Sequence, residues 1–158
     1  MGALLVVILA FVAMEPVTYA VHRWVMHGPG RRIHVSHHRA RAGRFEANDL
    51  YPVAFAAVVG AGLVVGFNVD GWGVLVPIGV GVTGYGAVYA AVHDGYIHGR
   101  LAVLARRRGR GRARLAEAHR LHHRYGGEPY GMLFPVVSAS LRARATTPSR
   151  DPTLGGPS

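Results

Sequence analysis

Ten histidines stand at positions 22, 27, 34, 37, 38, 93, 98, 119, 122 and 123, and none is isolated. They fall into four groups: His22 and His27; His34, His37 and His38; His93 and His98; His119, His122 and His123. A pair followed by a triplet thus occurs twice. Neutral imidazole is the commonest metal ligand in proteins. Positions i, i+3 and i+4 of an α-helix lie within an arc of about 100°, so each triplet can present three imidazoles on one face. The pairs differ, because five residues place side chains about 140° apart on a regular helix. Each pair therefore either contacts two different metals or has a helix end between its members. Gly28-Pro29-Gly30, Gly95 and Gly99 supply the means to end a helix.

Clustering of every histidine in the chain points to metal binding rather than to scattered surface residues. Ten nitrogen ligands exceed the needs of one ion, and two ions with about five histidines each fit better. An all-nitrogen set suits Fe, Zn, Cu or Ni, so spacing alone does not choose the metal. The zinc-protease pattern H-E-x-x-H is absent.

Composition narrows the chemistry further. The chain has no cysteine, which excludes disulfides, thiolate metal sites, iron–sulfur clusters and thiol nucleophiles. It has no lysine either, which excludes a lysine Schiff base or a P-loop. Its length of 158 residues suits one domain. Half of the residues are hydrophobic and 16% are charged, against about a quarter in soluble domains.

The elements that position the histidines are apolar stretches. Residues 1–14 carry no charge; Glu15-Pro16 interrupts the stretch and residues 17–21 continue it. The absence of a basic n-region favours an uncleaved span over a signal peptide. Residues 53–69 and 74–92 are also free of charge and long enough to cross a bilayer. Asn68-Val69-Asp70-Gly71 reads as a tight turn joining them, with Trp72 at an interface. Gly60, Gly62 and Gly66, and Gly79, Gly81, Gly84 and Gly86, could let helices approach closely. The 18 arginines give a net charge of +10. They lie after the first stretch and after the third, and the hairpin turn has none. The positive-inside rule then puts both histidine-bearing segments on the cytoplasmic side. The spans themselves lack histidine, which argues against a metal transporter.

With the groups and spans in hand, the sequence resembles the membrane fatty acid hydroxylase superfamily through its four histidine boxes. In detail it is similar to the bacterial β-carotene hydroxylases within it. The resemblance rests on HRWVMHG at 22–28, HVSHH at 34–38, FEANDLYPV at 45–53, VHDGYIHGR at 92–100 and AHRLHH at 118–123, and covers roughly residues 10–140. It implies an all-α integral membrane bundle of three to four spans under a cytoplasmic, helical, histidine-rich cap. Residues 1–145 would form one hydroxylase domain, and 146–158 a tail of disorder-like composition. The implied cofactors are two non-haem iron ions held by the ten histidines, with O2 as co-substrate and neither haem nor flavin; zinc could occupy the site in a purified sample. The implied reaction is C3 hydroxylation of the β-ionone rings of β-carotene, giving β-cryptoxanthin and zeaxanthin. The implied partners are a carotenoid entering from the bilayer, a ferredoxin-type electron donor and membrane lipids, in a bacterial inner membrane. A related lipid hydroxylase or ketolase, or a non-catalytic metal-binding membrane protein, are the alternatives. The sequence departs from the family at 106–114 (RRRGRGRAR) and at 130–134 (YGMLF), which resembles the family's Phe-Gly-Phe-Leu region only loosely.

Other polar residues invite a role. Asp94 directly follows His93 and is a candidate to orient a ligand imidazole. Asn48 and Asp49, with Glu46, either hydrogen-bond ligand histidines or cap a loop. Tyr85 and Tyr89 would line a substrate tunnel or lie among interfacial aromatics. The 106–114 run suits anionic lipid headgroups or an acidic electron donor better than nucleic acid. Residues 131–141 are apolar but too short to span, so they read as interfacial or re-entrant.

Overall fold

The computed structural model describes residues 2–39, 43, 45–100 and 109–146. The 147–158 tail and residues 106–108 of the arginine run lie outside the described residues. Among those described there is no β-strand.

Three helical rods are long and apolar enough to cross a membrane: Gly2–Met26, Ala47–Asn68 and Leu75–Ile97. The first is α1 (Gly2–Ala20) continued by a π-helical segment, Val21–Met26. The helix runs through Pro16 without ending. A four-residue helix α2 (Arg31–His34) follows, then a 3₁₀ turn at Ala47–Asp49 leads into α3 (Leu50–Asn68). The third rod is α4 (Leu75–Tyr89) continued by a second π-helical segment, Ala90–Ile97. Gly71 takes a positive φ of 83° in the α3–α4 connection, as the Asn-Val-Asp-Gly turn predicts.

α4 is the central rod and packs against both α1 and α3. Its small residues make this possible. A Cβ on Gly81 would strike the Val7 carbonyl and the Ala10 methyl of α1, and one on Gly79 would strike the Leu63 side chain of α3. Gly66 is a third close approach, whereas Gly60, Gly62 and Gly86 have nothing within 4 Å. Only part of the small-residue stripe is therefore an interface. The outward faces carry Leu4, Leu5, Leu9, Val12, Val53, Val58, Val64 and Phe67, all largely exposed. Lipid chains solvate such a surface, and water does not.

The remaining elements gather at one end of the rods. α5 (Arg110–Tyr125) is amphipathic and buries Ala118, His119, Leu121 and His122 on one side. It ends at Gly126, whose positive φ of 67° lets its N–H reach the His122 carbonyl at 2.8 Å. From there residues 127–138 run without regular structure and turn back against α1, and a short exposed helix, α6 (Ala139–Thr146), follows. Met132 in the returning segment is buried. Its neighbour on α1 is Glu15, seven residues and about 10 Å of helix below His22. The apolar 131–141 stretch is thus no fourth span; its first residues reach back along the bundle.

Close packing at Gly81 should be sensitive to volume. Gly81→Val is expected to lower the detergent-solubilised protein's thermal midpoint, by an amount in line with about 1–3 kcal/mol of overpacking. Gly60→Val should leave the midpoint unchanged. Equal effects would remove Gly81 from the α1–α4 interface.

Candidate metal centre

The two π-helical segments resolve the geometry of the i, i+5 pairs. In each, the second histidine donates its backbone N–H to the carbonyl of the first: His27 to His22 at 3.0 Å and His98 to His93 at 2.9 Å. An i→i+5 bond places residue i+5 one turn above residue i. The pair then shares a face that an α-helix would deny it. π-segments of this kind are rare and occur mostly at functional sites. The segments end at Met26 and Ile97, with His27 and His98 as the capping residues, so each helix ends between its two histidines, and both members of each pair join one group.

Nine imidazoles converge in two groups. His22, His27, His34, His38 and His122 form one, and His37, His93, His98 and His119 the other, with ligand nitrogens within 4.8 Å of one another in each. Nε2 of His22 and Nε2 of His38 lie 3.2 and 3.1 Å from Nε2 of His34, and Nε2 of His27 lies 3.1 Å from that of His122. In the second group His93 and His37 are 3.1 Å apart and His98 and His119 2.9 Å. Metal–nitrogen bonds of about 2.1 Å at right angles put ligand atoms about 3.0 Å apart, whereas a tetrahedron puts them at about 3.4 Å. The spacing suits five or six ligands per ion. The triplet that begins at the end of α2 is divided, with His34 and His38 in one group and His37 in the other.

His123 belongs to neither set by distance. Its ring lies between them, with centroids 4.3 Å from His38 and 4.4 Å from His119. His22 and His93 sit at the ends of the spanning rods rather than beyond them.

The opposite ring nitrogens are also occupied. Nδ1 of His22 faces the Tyr130 carbonyl at 3.0 Å and Nδ1 of His122 the Gly127 carbonyl at 2.6 Å. His34 faces Asn48 Oδ1 at 2.7 Å. His37 faces Glu46 at 3.2 Å and His93 faces Asp94 at 2.7 Å. Each acceptor takes an Nδ1–H and so leaves Nε2 as the free lone pair, which fixes the tautomer and aims it at the centre. Asn48 and Asp94 stand where a role in orienting imidazoles requires. Asp49 does not: its carboxylate accepts from the Glu46 backbone N–H at 2.9 Å and from Arg100 at 2.8 Å. The acid of that stretch that reaches an imidazole is Glu46, which joins Arg100 at 3.1 Å to His37. Sequence alone gave no means of ranking these three neighbours.

Comparison with known proteins agrees with this geometry. Residues 7–140 match the family model described as fatty acid hydroxylase. The chain belongs to the fatty acid hydroxylase family. It is 43% identical to a "Beta-carotene hydroxylase" of Pseudescherichia vulneris, over 88% of this chain and 80% of that protein. It is 41% identical to one of Paracoccus sp. (strain PC1), over 88% and 85%. An Arabidopsis thaliana "Beta-carotene 3-hydroxylase 1, chloroplastic" is 35% identical over 78% of this chain and 41% of its own length. No solved structure gives a significant match.

The residues present fit the metal ions that this family implies. Nε2 of His123 is buried without a hydrogen-bond partner. Leaving such a nitrogen unsatisfied costs about 1–3 kcal/mol, which a neighbouring cation would relieve. Burial is also the main force on the imidazoles' charge. Burial, with His34 and His38 adjacent, lowers His27 to about 4; burial and His34 lower His38 to about 4. Burial lowers His122 to about 3, and His34, His37 and His119 are pushed down as well. These six rings are held in the neutral form, the one that binds a cation. Of the two tyrosines near the end of α4, Tyr89 stacks on His93 with centroids 4.9 Å apart, and Tyr85 is buried.

Two outcomes follow. Glu46→Gln and Asp94→Asn should each weaken metal binding by about 10–100-fold in a chelator competition, while Asp49→Asn should change it little. An Asp49 effect as large as that of Glu46 would reverse their assignment. Protons should also destabilise the metal-free protein. The unfolded chain takes up its histidine protons near pH 6.5, before the folded chain does near 4. Stability is then full above about 6.5 and falls as pH drops towards 4. Thermal midpoints of chelator-stripped protein at pH 7.5 and 5 measure this; an unchanged or higher midpoint at pH 5 would contradict it.

Proposed function

We propose that this chain is a β-carotene 3-hydroxylase that uses two non-haem iron ions and O2 to hydroxylate both β-ionone rings, giving β-cryptoxanthin and then zeaxanthin. The observation that carries the reading is the convergence of nine imidazoles in two adjacent groups at the membrane end of the rods. Its relatives named as β-carotene hydroxylases supply the substrate. Ten histidines, His22, His27, His34, His37, His38, His93, His98, His119, His122 and His123, would hold the iron.

The iron supplies what no side chain can: reductive activation of O2, with one oxygen atom entering an unactivated C–H bond and the other leaving as water. The chain's residues do the rest. Asp94, Glu46 and Asn48 hold His93, His37 and His34 in one tautomer through their Nδ1–H groups. Tyr89, stacked on His93, covers the membrane side of that ring. The carotenoid is apolar and arrives from the bilayer, so its ring meets the histidine layer where the spans end. Electrons come from a ferredoxin-type donor. The exposed Arg110, Arg114, Arg120 and Arg124 on the cap suit an acidic partner. The arginines on the cap, with none in the α3–α4 turn, support an inner-membrane protein with its site on the cytoplasmic face.

Expression in β-carotene-producing cells tests the reading. Zeaxanthin, with β-cryptoxanthin as intermediate, is the expected pigment. Keto-carotenoids would reassign the chemistry to a ketolase. Unchanged pigments with iron-loaded protein in the membrane would reject carotenoid hydroxylation. His37→Ala, His93→Ala and His122→Ala should each abolish the product while the protein still inserts; substantial turnover in any one would remove that residue from the ligand set.

A further inference from the structure

The two histidine groups differ in what orients them. In the second, the acceptors are carboxylates on side chains, Glu46 for His37 and Asp94 for His93. In the first, two of the acceptors are main-chain carbonyls, Tyr130 for His22 and Gly127 for His122. Both lie in a segment with no regular structure of its own. A carbonyl orients an imidazole only as well as its loop is held. The outer tie of this loop is Glu128, which pairs with Arg23 at 3.0 Å and accepts from Tyr19 at 2.6 Å. That pair is more than two-fifths exposed on each side, where ion pairs contribute little.

The inner tie is Glu15. Its Oε1 accepts from three consecutive backbone N–H groups, Met132 at 2.9 Å, Leu133 at 3.0 Å and Phe134 at 2.9 Å. Its Oε2 accepts from the Tyr85 hydroxyl of α4 at 2.6 Å. Tyr85 is 2% exposed and Met132 4%. An ionisable side chain inside a spanning helix is costly and needs partners. Here one carboxylate takes four donors and joins α1, α4 and a loop more than a hundred residues away.

We infer that Glu15 is a positioning residue for the five-histidine group. By pinning residues 132–134 it sets the Tyr130 carbonyl against His22, and the Tyr130 ring against His22, His27 and His122, at centroid distances of 5.4, 5.1 and 5.3 Å. The four-histidine group draws its orientation from other elements and does not depend on this tie. The inference rests on the two-ion reading of the site.

The full chain in lipid nanodiscs, stripped of metal, provides the test. Hydrogen–deuterium exchange of the 130–136 peptide reads the tie, and cobalt(II) titration reads each group by its visible absorption. Wild type should take up two cobalt ions. In Glu15→Ala the peptide should exchange roughly tenfold faster. One ion should bind about tenfold or more weakly while the other is unchanged. Glu15→Gln keeps one carbonyl oxygen for the three amides and should restore both readouts in large part. Glu128→Gln should leave the second ion in place. Unchanged exchange in Glu15→Ala, equal weakening of both ions, a Gln variant as defective as Ala, or loss of an ion in Glu128→Gln would each overturn the inference. Wild-type protein that takes up no cobalt would overturn the two-ion reading and the inference with it. Two cobalt ions bound equally well by wild type and Glu15→Ala would overturn the inference alone.

Discussion

A ring nitrogen aimed into a buried space must meet a proton donor or a cation, or its lone pair is left unsatisfied. In this molecule nine such nitrogens are aimed at two points, and a tenth, on His123, lies between them without a partner. Burial keeps His27, His38 and His122 neutral, so they do not repel one another as charges. The need to bring neutral imidazoles to nitrogen–nitrogen distances near 3 Å explains features that would otherwise look like irregularities. These are the two π-helical segments, the glycine that stops α5 just after its triplet, and the loop that returns to offer carbonyls.

The bilayer supplies the other half of the design. Rods with apolar faces all round have little to gain from packing on one another in lipid. Their contacts depend on small residues such as Gly79 and Gly81, which allow close approach. Polar partners add to this where they exist. Glu15 and Tyr85 form such a pair, and the same carboxylate reaches the returning loop. The membrane part and the metal layer are thus joined through hydrogen bonds as well as through helices that continue from one into the other.

The two groups are not copies. The pair-then-triplet pattern repeats in sequence, yet the triplet of His34, His37 and His38 contributes to both groups, and so does the α5 triplet: His122 joins the first and His119 the second. The acceptors behind the rings differ too, carbonyls and an amide in one group and carboxylates in the other. A carboxylate makes its imidazole a more basic ligand than a carbonyl does, so the two positions offer a cation different fields.

Much of this was legible in the sequence. Histidine spacing, three charge-free stretches and the absence of cysteine sufficed for an all-helical membrane protein with an all-histidine metal layer, because these are local and compositional signals. Asp94 was readable from its adjacency to His93. The partition of the histidines was not, because a triplet's arc says which face the rings share and nothing of what that face meets. Nor was the choice of Glu46 over Asp49, which turns on a loop conformation and on Arg100. The i, i+5 pairs reach a common group for a reason the spacing did not show: each first histidine lies in a π-helical segment that ends just before the second. Glu15 read as an interruption of a span, since its partners lie at 85 and 132–134. The sequence by itself determined the candidate imidazoles and the apolar rods that carry them; only the tertiary structure decided which of these imidazoles come together and what holds them there. Periodicity is a property of one segment, and coordination is a contact among several.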